Sequence, residues 1–366
     1  MISHQSLLFL AIMYIKKLLF NIFHWEAWHY HLKYIPISPV WLWYCIKARS
    51  LWFFTASNPS ITFGGFEGEG KDEIYKQLPP ESFPKSILIS SNSPFSSVQE
   101  LINEKTFEFP FIVKPDIGMM GYMFRKISCE AELKLYHESI SVDYLIQEFV
   151  KYPLEVSVFY YRMPHSDKGT ISGFLLKQQP EVTGDGKSTL AELIKQNQDL
   201  RFKQNEMMAR HQKHLDMVLP VNEKLILSYA SNRSQGGKLI SLADEIDEKL
   251  ENVFDQISLQ SKYFYYGRYD IKCASIESLK NGKDFSILEY NGAGAGIQHV
   301  YGNSLTLSQA CKTILSHWKM LYRISMHNHE VNKIEFWEKS RGKKFLKSAR
   351  QQLNYLKKLD REFPVF

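Results

Sequence analysis

Two segments in the last third of the chain carry oxygen ligands at a spacing that suits a divalent cation. In the strand-like segment ILEYN, Glu289 and Asn291 lie two positions apart and therefore face the same side; Asp270 of GRYDIK can join them from a paired strand. Two carboxylates and an amide oxygen are hard donors of the kind that Mg²⁺ binds. Arg268 points the same way and can stabilise a phosphoryl group in transfer. The alternative is a surface hairpin with unpaired polar side chains.

A second candidate is Lys114, which ends the apolar run FIVKP and precedes the glycine-containing loop DIGMMG. An ammonium group at a strand end can contact phosphate oxygens. Gly118 and Gly121 allow backbone N–H groups to approach the same anion. A lysine in this position is ordinarily a solvated surface residue, so Lys114 alone is weak evidence for a phosphate site.

Two glutamates follow at a spacing of seven residues, Glu148 in QEFV and Glu155 in the alternating segment LEVSVFYYR. A carboxylate between two lobes can accept the amino hydrogen of adenine, while backbone groups near Phe149 and Val150 read the edge of the ring. A carboxylate on the next strand can hold ribose hydroxyls. Each glutamate alone is more often an exposed charge, so only their order along the chain is informative.

Taken in order, these elements resemble the ATP-grasp superfamily, in particular the branches of D-alanine–D-alanine ligase and cyanophycin synthetase. The resemblance covers about Lys71 to Asn303 and lies in the ordered set, because no single motif is specific. It implies that Lys71 and Lys114 contact ATP phosphates and that DIGMMG, with Gly118 and Gly121, closes over them.

The resemblance also implies roles for the remaining positions. Glu148 and Glu155 would hold adenine and ribose, and Lys177 would reach a phosphate and, with Arg268, take part in catalysis. Asp270, Glu289 and Asn291 would bind one or two Mg²⁺ ions, for which Mn²⁺ could substitute. Residues implied at the border of the substrate site are Asn232, Arg233, Ser234, Gly294 and Gly296.

The chain departs from this superfamily in two places. An α/β domain usually precedes the first ATP-binding lysine, whereas residues 1–57 here are hydrophobic and aromatic. Met119 and Met120 dilute the glycines of the loop, so closure over the phosphates is expected to be looser or to depend on packing.

Strand-like and helix-like segments alternate and then give way to hairpins, which predicts an α+β fold with two lobes that clasp ATP. We divide the chain into an N-terminal region (1–57), a short preceding segment (58–110), a small lobe (111–150), a large lobe (151–325) and a basic C-terminal helix (326–366).

Four local predictions can be compared directly with the structure. Residues 188–216 read as one long helix, and 224–242 as two strands around a polar turn. The apolar spacing of 243–260 predicts an amphipathic helix. Asn281-Gly282 between two apolar runs predicts a hairpin turn.

Charge is uneven along the chain, whose net value is +6. Residues 1–50 carry +4, residues 330–366 carry +5, and the middle is mildly acidic, which does not fit a nucleic-acid groove. The basic, Trp- and Tyr-rich start is typical of a membrane interface, and the basic tail suits anionic lipid. A buried aromatic subdomain or an oligomer contact, as in a homo-oligomer, is the alternative. The four scattered cysteines predict no zinc site or disulfide framework, and hence a cytoplasmic protein, at the inner face of the membrane if lipid is bound.

The leading functional hypothesis is an ATP- and Mg²⁺-dependent ligase that joins a small-molecule carboxylate to an amine through an acyl phosphate. Two alternatives remain at this stage, a small-molecule kinase and a membrane-associated nucleotide-binding protein without turnover. The nature of the product distinguishes the first two, and loss of hydrolysis on substitution of Glu289 distinguishes an enzyme from a binding protein.

Overall fold

The computed structural model describes residues 34–201, 203–228, 236–302 and 305–363, together with the single residues Trp25, Trp28, Leu32, Ser231 and Arg233. Within these residues the chain forms three antiparallel sheets, of four, five and two strands, together with helices, which confirms the predicted α+β class. No helix in the described ranges is both long and apolar enough to span a bilayer.

The small lobe is built on a four-stranded sheet and extends beyond the predicted 111–150, because a strand and a helix of the segment 58–110 belong to it. Its strands are β1 (Ser86–Ile89), β2 (Phe111–Pro115), β3 (Arg125–Ile127) and β4 (Tyr144–Glu148), in the order β1-β4-β2-β3. Helices α3 (Phe95–Glu104) and α4 (Glu130–Ser139) pack on one face, where Val98 and Tyr136 meet Phe111 and Val113. Because strand side chains alternate, Lys114 lies on the other face.

The large lobe is built on a five-stranded antiparallel sheet in the order β11-β10-β5-β6-β9. Its strands are β5 (Leu154–Arg162), β6 (Gly169–Gln178), β9 (Lys238–Ser241), β10 (Tyr266–Cys273) and β11 (Phe285–Asn291).

Helix α7 (Glu248–Gln260) covers one face of this large sheet. It buries Leu250, Phe254 and Ile257 against strand residues such as Val158 and Tyr269. The predicted amphipathic helix is thereby confirmed, and the opposite face of the sheet is left to carry the polar residues.

The segment predicted as one long helix is broken in the structure. Helix α5 (Leu190–Gln196) begins at a Thr189 capping box and ends at Asn197, and α6 (Gln204–Arg210) follows separately. The Asn197 side chain donates to Glu181 O and accepts from the Asp199 N–H, so it forms a turn in place of continued helix.

The two strands predicted around a polar turn do exist, but they do not pair with each other. Strand β8 (Lys224–Ile226) pairs with β7 (Glu181–Thr183), whereas β9 pairs with β6. Strands β10 and β11 do pair, although a short helix, α8 (Ile276–Lys280), precedes the turn at Gly282.

Most of the described aromatic residues of the N-terminal region pack on the large lobe, whereas Trp43 is exposed. Helix α1 (Ser38–Lys47) places Trp41 and Tyr44 against Trp318 and Tyr322 of α10 (Leu307–Glu330). Part of this region therefore forms a buried aromatic cluster. The apolar segment before Trp25 lies outside the described residues.

The basic C-terminal helix α11 (Lys339–Glu362) packs its apolar face on the protein. Phe345 lies in the aromatic cluster of the large lobe, and Leu356 is fully buried in the core of the small lobe. Short helices α2 (Lys71–Tyr75) and α9 (His299–Gly302) complete the α-helices of the described residues.

Candidate active site

Strand register aligns a row of charged side chains on the open face of the large sheet. Asp270 of β10 lies opposite Glu289 of β11 on one side and Ser157 of β5 on the other. Glu155 of β5 lies opposite Lys177 of β6. Directly opposite residues share a face, so four strands contribute to one polar surface.

Asp270 lies at the centre of this row. Lys177 Nζ is 2.8 Å from Asp270 Oδ1 and 3.9 Å from Glu155 Oε1. Arg268 donates from Nε and Nη2 to the two oxygens of Asp270, each at 3.0 Å. Burial alone would raise the pKa of Asp270, but Arg268 and Lys177 together hold that pKa below its usual range. Asp270 is therefore ionised and already paired with two cations.

Glu155 lies in the same row, opposite Lys177. Burial raises the pKa of Glu155, opposed by the charge of Lys177 and a hydrogen bond from Ser231 Oγ. A raised carboxyl pKa beside a lysine is the kind of perturbation found at functional sites.

Lys114 reaches the large sheet from the small lobe. Its Nζ donates to Tyr75 Oη at 3.0 Å, to Gln147 Oε1 at 2.9 Å and to Leu288 O at 3.1 Å. Because Leu288 immediately precedes Glu289, the lysine of the small lobe is close to that glutamate of the large lobe. Burial lowers the pKa of Lys114 to about 8, although the charge of Glu289 acts to raise it.

Lys71 holds the glycine loop, which we define as residues 116–124. Its Nζ donates to Asp116 O at 3.1 Å and to Gly118 O at 3.0 Å. Positive φ angles at Met120 (61°), Gly121 (74°) and Met123 (57°) turn the chain within this loop. Lys71 is thus in contact with the loop that the sequence predicts to close over phosphates.

Two buried polar atoms near these charges have no hydrogen-bond partner, Glu69 Oε2 and Asn291 Nδ2. Burial raises the pKa of Glu69 to about 7, and the charge of Glu289 adds to this while that of Lys71 opposes it. Unpartnered buried polar atoms are rare in folded proteins, and a bound polar ligand would give both atoms a partner.

The donor set fits Mg²⁺ and a triphosphate in its chemistry. Asp270, Glu289 and Asn291 offer oxygen ligands, and four cationic side chains lie nearby: Lys71, Lys114, Lys177 and Arg268. Among the described residues no three His, Cys, Asp or Glu side chains gather as a metal cluster, so a protein-only cage is not formed. Mg²⁺ usually takes few protein ligands and relies on substrate phosphates.

Other predicted residues are placed as follows. Glu148 is exposed at the end of β4, and Phe149 and Val150 are half-buried beside it, with Lys126 over the Phe149 ring at 5.0 Å. Arg233 stacks on Tyr301 at 4.2 Å, whereas Asn232 and Ser234 lie outside the described residues.

The two glycines predicted at the substrate loop differ in their surroundings. A Cβ atom at Gly294 would lie 1.8 Å from Phe66 O, so this position admits only glycine without a shift of backbone. At Gly296 the nearest neighbour would be Arg268 Nη1 at 3.6 Å, an ordinary contact. Gly296 instead contributes its carbonyl oxygen, which accepts from Arg268 Nη1 at 3.0 Å.

Sequence reasoning missed Glu69, Tyr75 and Gln147. Alternation along β4 could have found Gln147, because its register partner Ile112 shares a sheet face with Lys114. Tyr75 and Glu69 carry no such pattern. A glutamate in a glycine-rich loop predicts exposure, and only the tertiary fold buries its Oε2 atom.

An open cavity of about 530 Å³ lies beside the N-terminus of α2, outside this group of charges. Its lining includes Asp72, Glu73 and Asp116, together with Phe345 of α11. Its three carboxylates outnumber its one lysine, Lys76, which makes it unfavourable for a triphosphate, and neither Lys114 nor Asp270 lines it. The candidate site is therefore the charged group on the sheet.

No family profile matches the sequence, and no curated protein matches it. Solved structures similar in fold include a bifunctional glutathione synthetase from Pasteurella multocida, at 17% identity and a TM-score of 0.36 over 67% of this chain and 35% of that one. A D-alanine–D-alanine ligase from Bacillus anthracis complexed with ATP is similar at 13% identity and a TM-score of 0.39, over 71% of this chain and 67% of that one.

A third similar structure is the ATP-grasp ligase PsnB complexed with minimal precursor, at 13% identity and a TM-score of 0.33, over 65% of this chain and 56% of that one. The chain spans about one third of the length of the glutathione synthetase. The superfamily that the sequence motifs resemble is thus represented among these structures, and the functional argument rests on the side chains of this chain.

Proposed function

We propose that this chain is an ATP-dependent ligase of the ATP-grasp type that joins a carboxylate to an amine. The observation that carries the proposal is the position of Lys114, whose Nζ lies 3.1 Å from Leu288 O beside Glu289. The lysine that we assign to phosphate therefore lies close to Glu289, one of the residues that we assign to Mg²⁺, and this proximity supports the proposal.

We assign the triphosphate to Lys71, Lys114 and Lys177, the adenine to Glu148 and the backbone of Phe149 and Val150, and the ribose to Glu155. Mg²⁺ held by Asp270, Glu289 and Asn291 would neutralise charge on the phosphates. Lys71, Lys114, Lys177 and Arg268 all have protein partners in this structure, so nucleotide binding must replace some of these contacts.

In the first step of the proposed reaction, a carboxylate oxygen attacks the γ-phosphorus of ATP. The bond from that phosphorus to the bridging oxygen breaks, and ADP leaves. Arg268 stabilises the charge on the transferring group from its position beside Asp270. In the second step the amine attacks the acyl carbon, inorganic phosphate leaves, and the amine loses a proton to solvent. The product is an amide.

The test is a screen of amino acids and small peptides for release of phosphate from MgATP. We expect ADP and phosphate only when a carboxylic acid and an amine are both present. Release of AMP and pyrophosphate would contradict the proposal, and a stable phosphate ester would point to a kinase instead. Glu289→Gln should abolish turnover, whereas Glu277→Gln at an exposed position of α8 should leave it unchanged.

We further propose that this enzyme contacts a membrane surface through α1. Four exposed apolar residues recur at helical spacing from the turn before α1 through the helix: Ile35 (61% exposed), Leu42 (57%), Trp43 (57%) and Ile46 (69%). Lys47 and Arg49 lie exposed beside them. An apolar stripe with Trp and flanking cations suits an anionic lipid interface.

Co-sedimentation with anionic and with neutral vesicles tests this contact. We expect binding to anionic vesicles that Ile46→Glu weakens and that Leu135→Glu, at an exposed leucine of α4, does not. A dimer in solution that Ile46→Glu dissociates, without vesicle binding, would show that a second copy covers the stripe.

A further inference from the structure

Helix α11 contacts both lobes. Toward its start, Phe345 packs in the aromatic cluster of the large lobe, and a Cβ atom at Gly342 would lie 2.5 Å from Trp52 Nε1, so the helix lies close to that cluster. Toward its end, Leu356 and Phe363, the residue after α11, lie in the core of the small lobe. The helix thus runs from one lobe to the other past the glycine loop.

The last three turns of α11 hydrogen-bond this loop at two points. Gln352 Nε2 donates to Ile117 O at 2.8 Å, near the start of the loop. The backbone N–H of Met123, near its end, donates to Asp360 Oδ1 at 2.7 Å. Between these points lie Met119 (38% exposed) and Met120 (45% exposed). The two ends of the loop are therefore fixed from a distant part of the chain.

Asp360 makes the stronger of the two attachments. Arg125 Nη1 of β3 lies 2.8 Å from the same Oδ1 atom, and both side chains are only 10% exposed. Charge-assisted hydrogen bonds in a protected environment are stronger than neutral ones. One carboxylate thus joins α11 both to the loop and to the strand that follows it.

Met123 needs such support because of its backbone. Its φ of 57° is left-handed and unfavourable for a residue with a side chain, and that side chain is fully buried in the small lobe. An N–H donating to a fixed carboxylate helps to hold this conformation. Loss of the acceptor should loosen the loop from Met123 toward Gly121.

We infer that Asp360 is a positioning residue that sets the glycine loop in place for nucleotide binding. The inference rests on the proposed function, in which this loop lies over the ATP phosphates. Backbone N–H groups bind an anion well only when they are already oriented, because ordering them at the time of binding costs conformational entropy. The C-terminal helix then supplies part of the ATP site without touching ATP.

The experiment compares Asp360→Ala, Asp360→Asn and Asp360→Glu with Asn354→Ala, a control at an exposed position of the same helix. We expect Asp360→Ala to raise KM for ATP about tenfold with little change in kcat, as expected when binding but not chemistry is weakened. Asp360→Asn keeps the side-chain volume and should show a smaller rise. Asp360→Glu should restore KM in part, and the control should match the wild type.

Hydrogen exchange of residues 117–124 without nucleotide provides a second, independent measurement. We expect faster exchange in Asp360→Ala and unchanged exchange in Asn354→Ala. A lower melting temperature with unchanged KM and unchanged loop exchange would overturn the inference, since a merely structural role predicts that pattern. If the wild type fails to bind ATP, the proposed function fails; loop exchange still decides whether Asp360 holds the loop.

Discussion

Lys177 and Asp270 form an ion pair of 2.8 Å across an intervening strand, since β5 lies between β6 and β10. Both side chains are nearly inaccessible to solvent, with 3% and 7% of their surface exposed. Both charges of this pair are shielded from water, so removing either one leaves the other buried without its partner, which costs free energy. Asp270 therefore has a structural role in addition to its assigned metal-binding role, and the two roles can be separated.

Asp270→Asn should both unfold the protein more easily and abolish MgATP turnover. The substitution leaves Arg268 buried without its counter-charge and leaves Lys177 with only Glu155, 3.9 Å away, which typically costs about 3–5 kcal/mol of the free energy of unfolding. Glu289→Gln removes a half-exposed carboxylate. It should abolish turnover with a much smaller loss of the free energy of unfolding. Denaturant unfolding with an assay of phosphate release checks both. Equal loss of stability in the two variants would contradict this division of roles.

Binding of ATP should weaken as the pH rises through about 8. The pKa of Lys114 is lowered to about 8 by burial, so its ammonium is lost on the alkaline side of that value. A neutral amine no longer attracts phosphate, and KM for ATP should rise between pH 7 and pH 9. Lys114→Arg stays protonated throughout this range, and its KM should be flat with pH. A wild-type KM independent of pH would exclude Lys114 from phosphate binding.

Tyr75→Phe should destabilise the protein by about 1–3 kcal/mol, because Lys114 Nζ, Gln147 Nε2 and Leu288 O each lose one hydrogen bond, although each keeps another. The Tyr75 hydroxyl donates to Leu288 O and accepts from Lys114 Nζ and from Gln147 Nε2. Tyr263→Phe, at a 44% exposed position, is the matched control and should change little. Urea denaturation of both variants measures the difference, and equal effects would argue against a linked network at Lys114.

Gly294→Ala and Gly296→Ala should differ sharply in their effect on stability, although the sequence analysis assigned both glycines to the same loop. Alanine at 294 would place a Cβ atom 1.8 Å from Phe66 O and must displace backbone, costing about 1–3 kcal/mol. Alanine at 296 meets nothing closer than 3.6 Å and should fold normally. Thermal unfolding separates them. A change in KM for the acid or amine in Gly296→Ala alone would support its assignment to the substrate loop.

The fold class and the row of charged side chains on the large sheet could be predicted from the sequence because they depend on local periodicity. Alternation along the segment 154–162 gave the observed bounds of β5, and the i, i+2 rule placed Glu289 and Asn291 on one face. The pairing of strands was harder to predict, because β8 and β9 are neighbours in sequence yet belong to different sheets. Their partners are decided by packing of distant segments, which local pattern does not encode.

The remaining misses have the same origin. Asn197 ends a helix through bonds to Glu181 and Asp199, of which the first is distant in sequence. The buried Oε2 of Glu69 and the attachment of Asp360 to Met123 depend on how lobes and helix dock.

Helix α11 also limits how a substrate can enter. Its 24 residues form a rod of about 36 Å, held by the aromatic cluster at one end and by the small lobe at the other. A helix that is anchored in both lobes opposes a movement that would separate them. Nucleotide should therefore be admitted by local displacement of the two exposed methionines at the tip of the loop, a movement that leaves the helix in place.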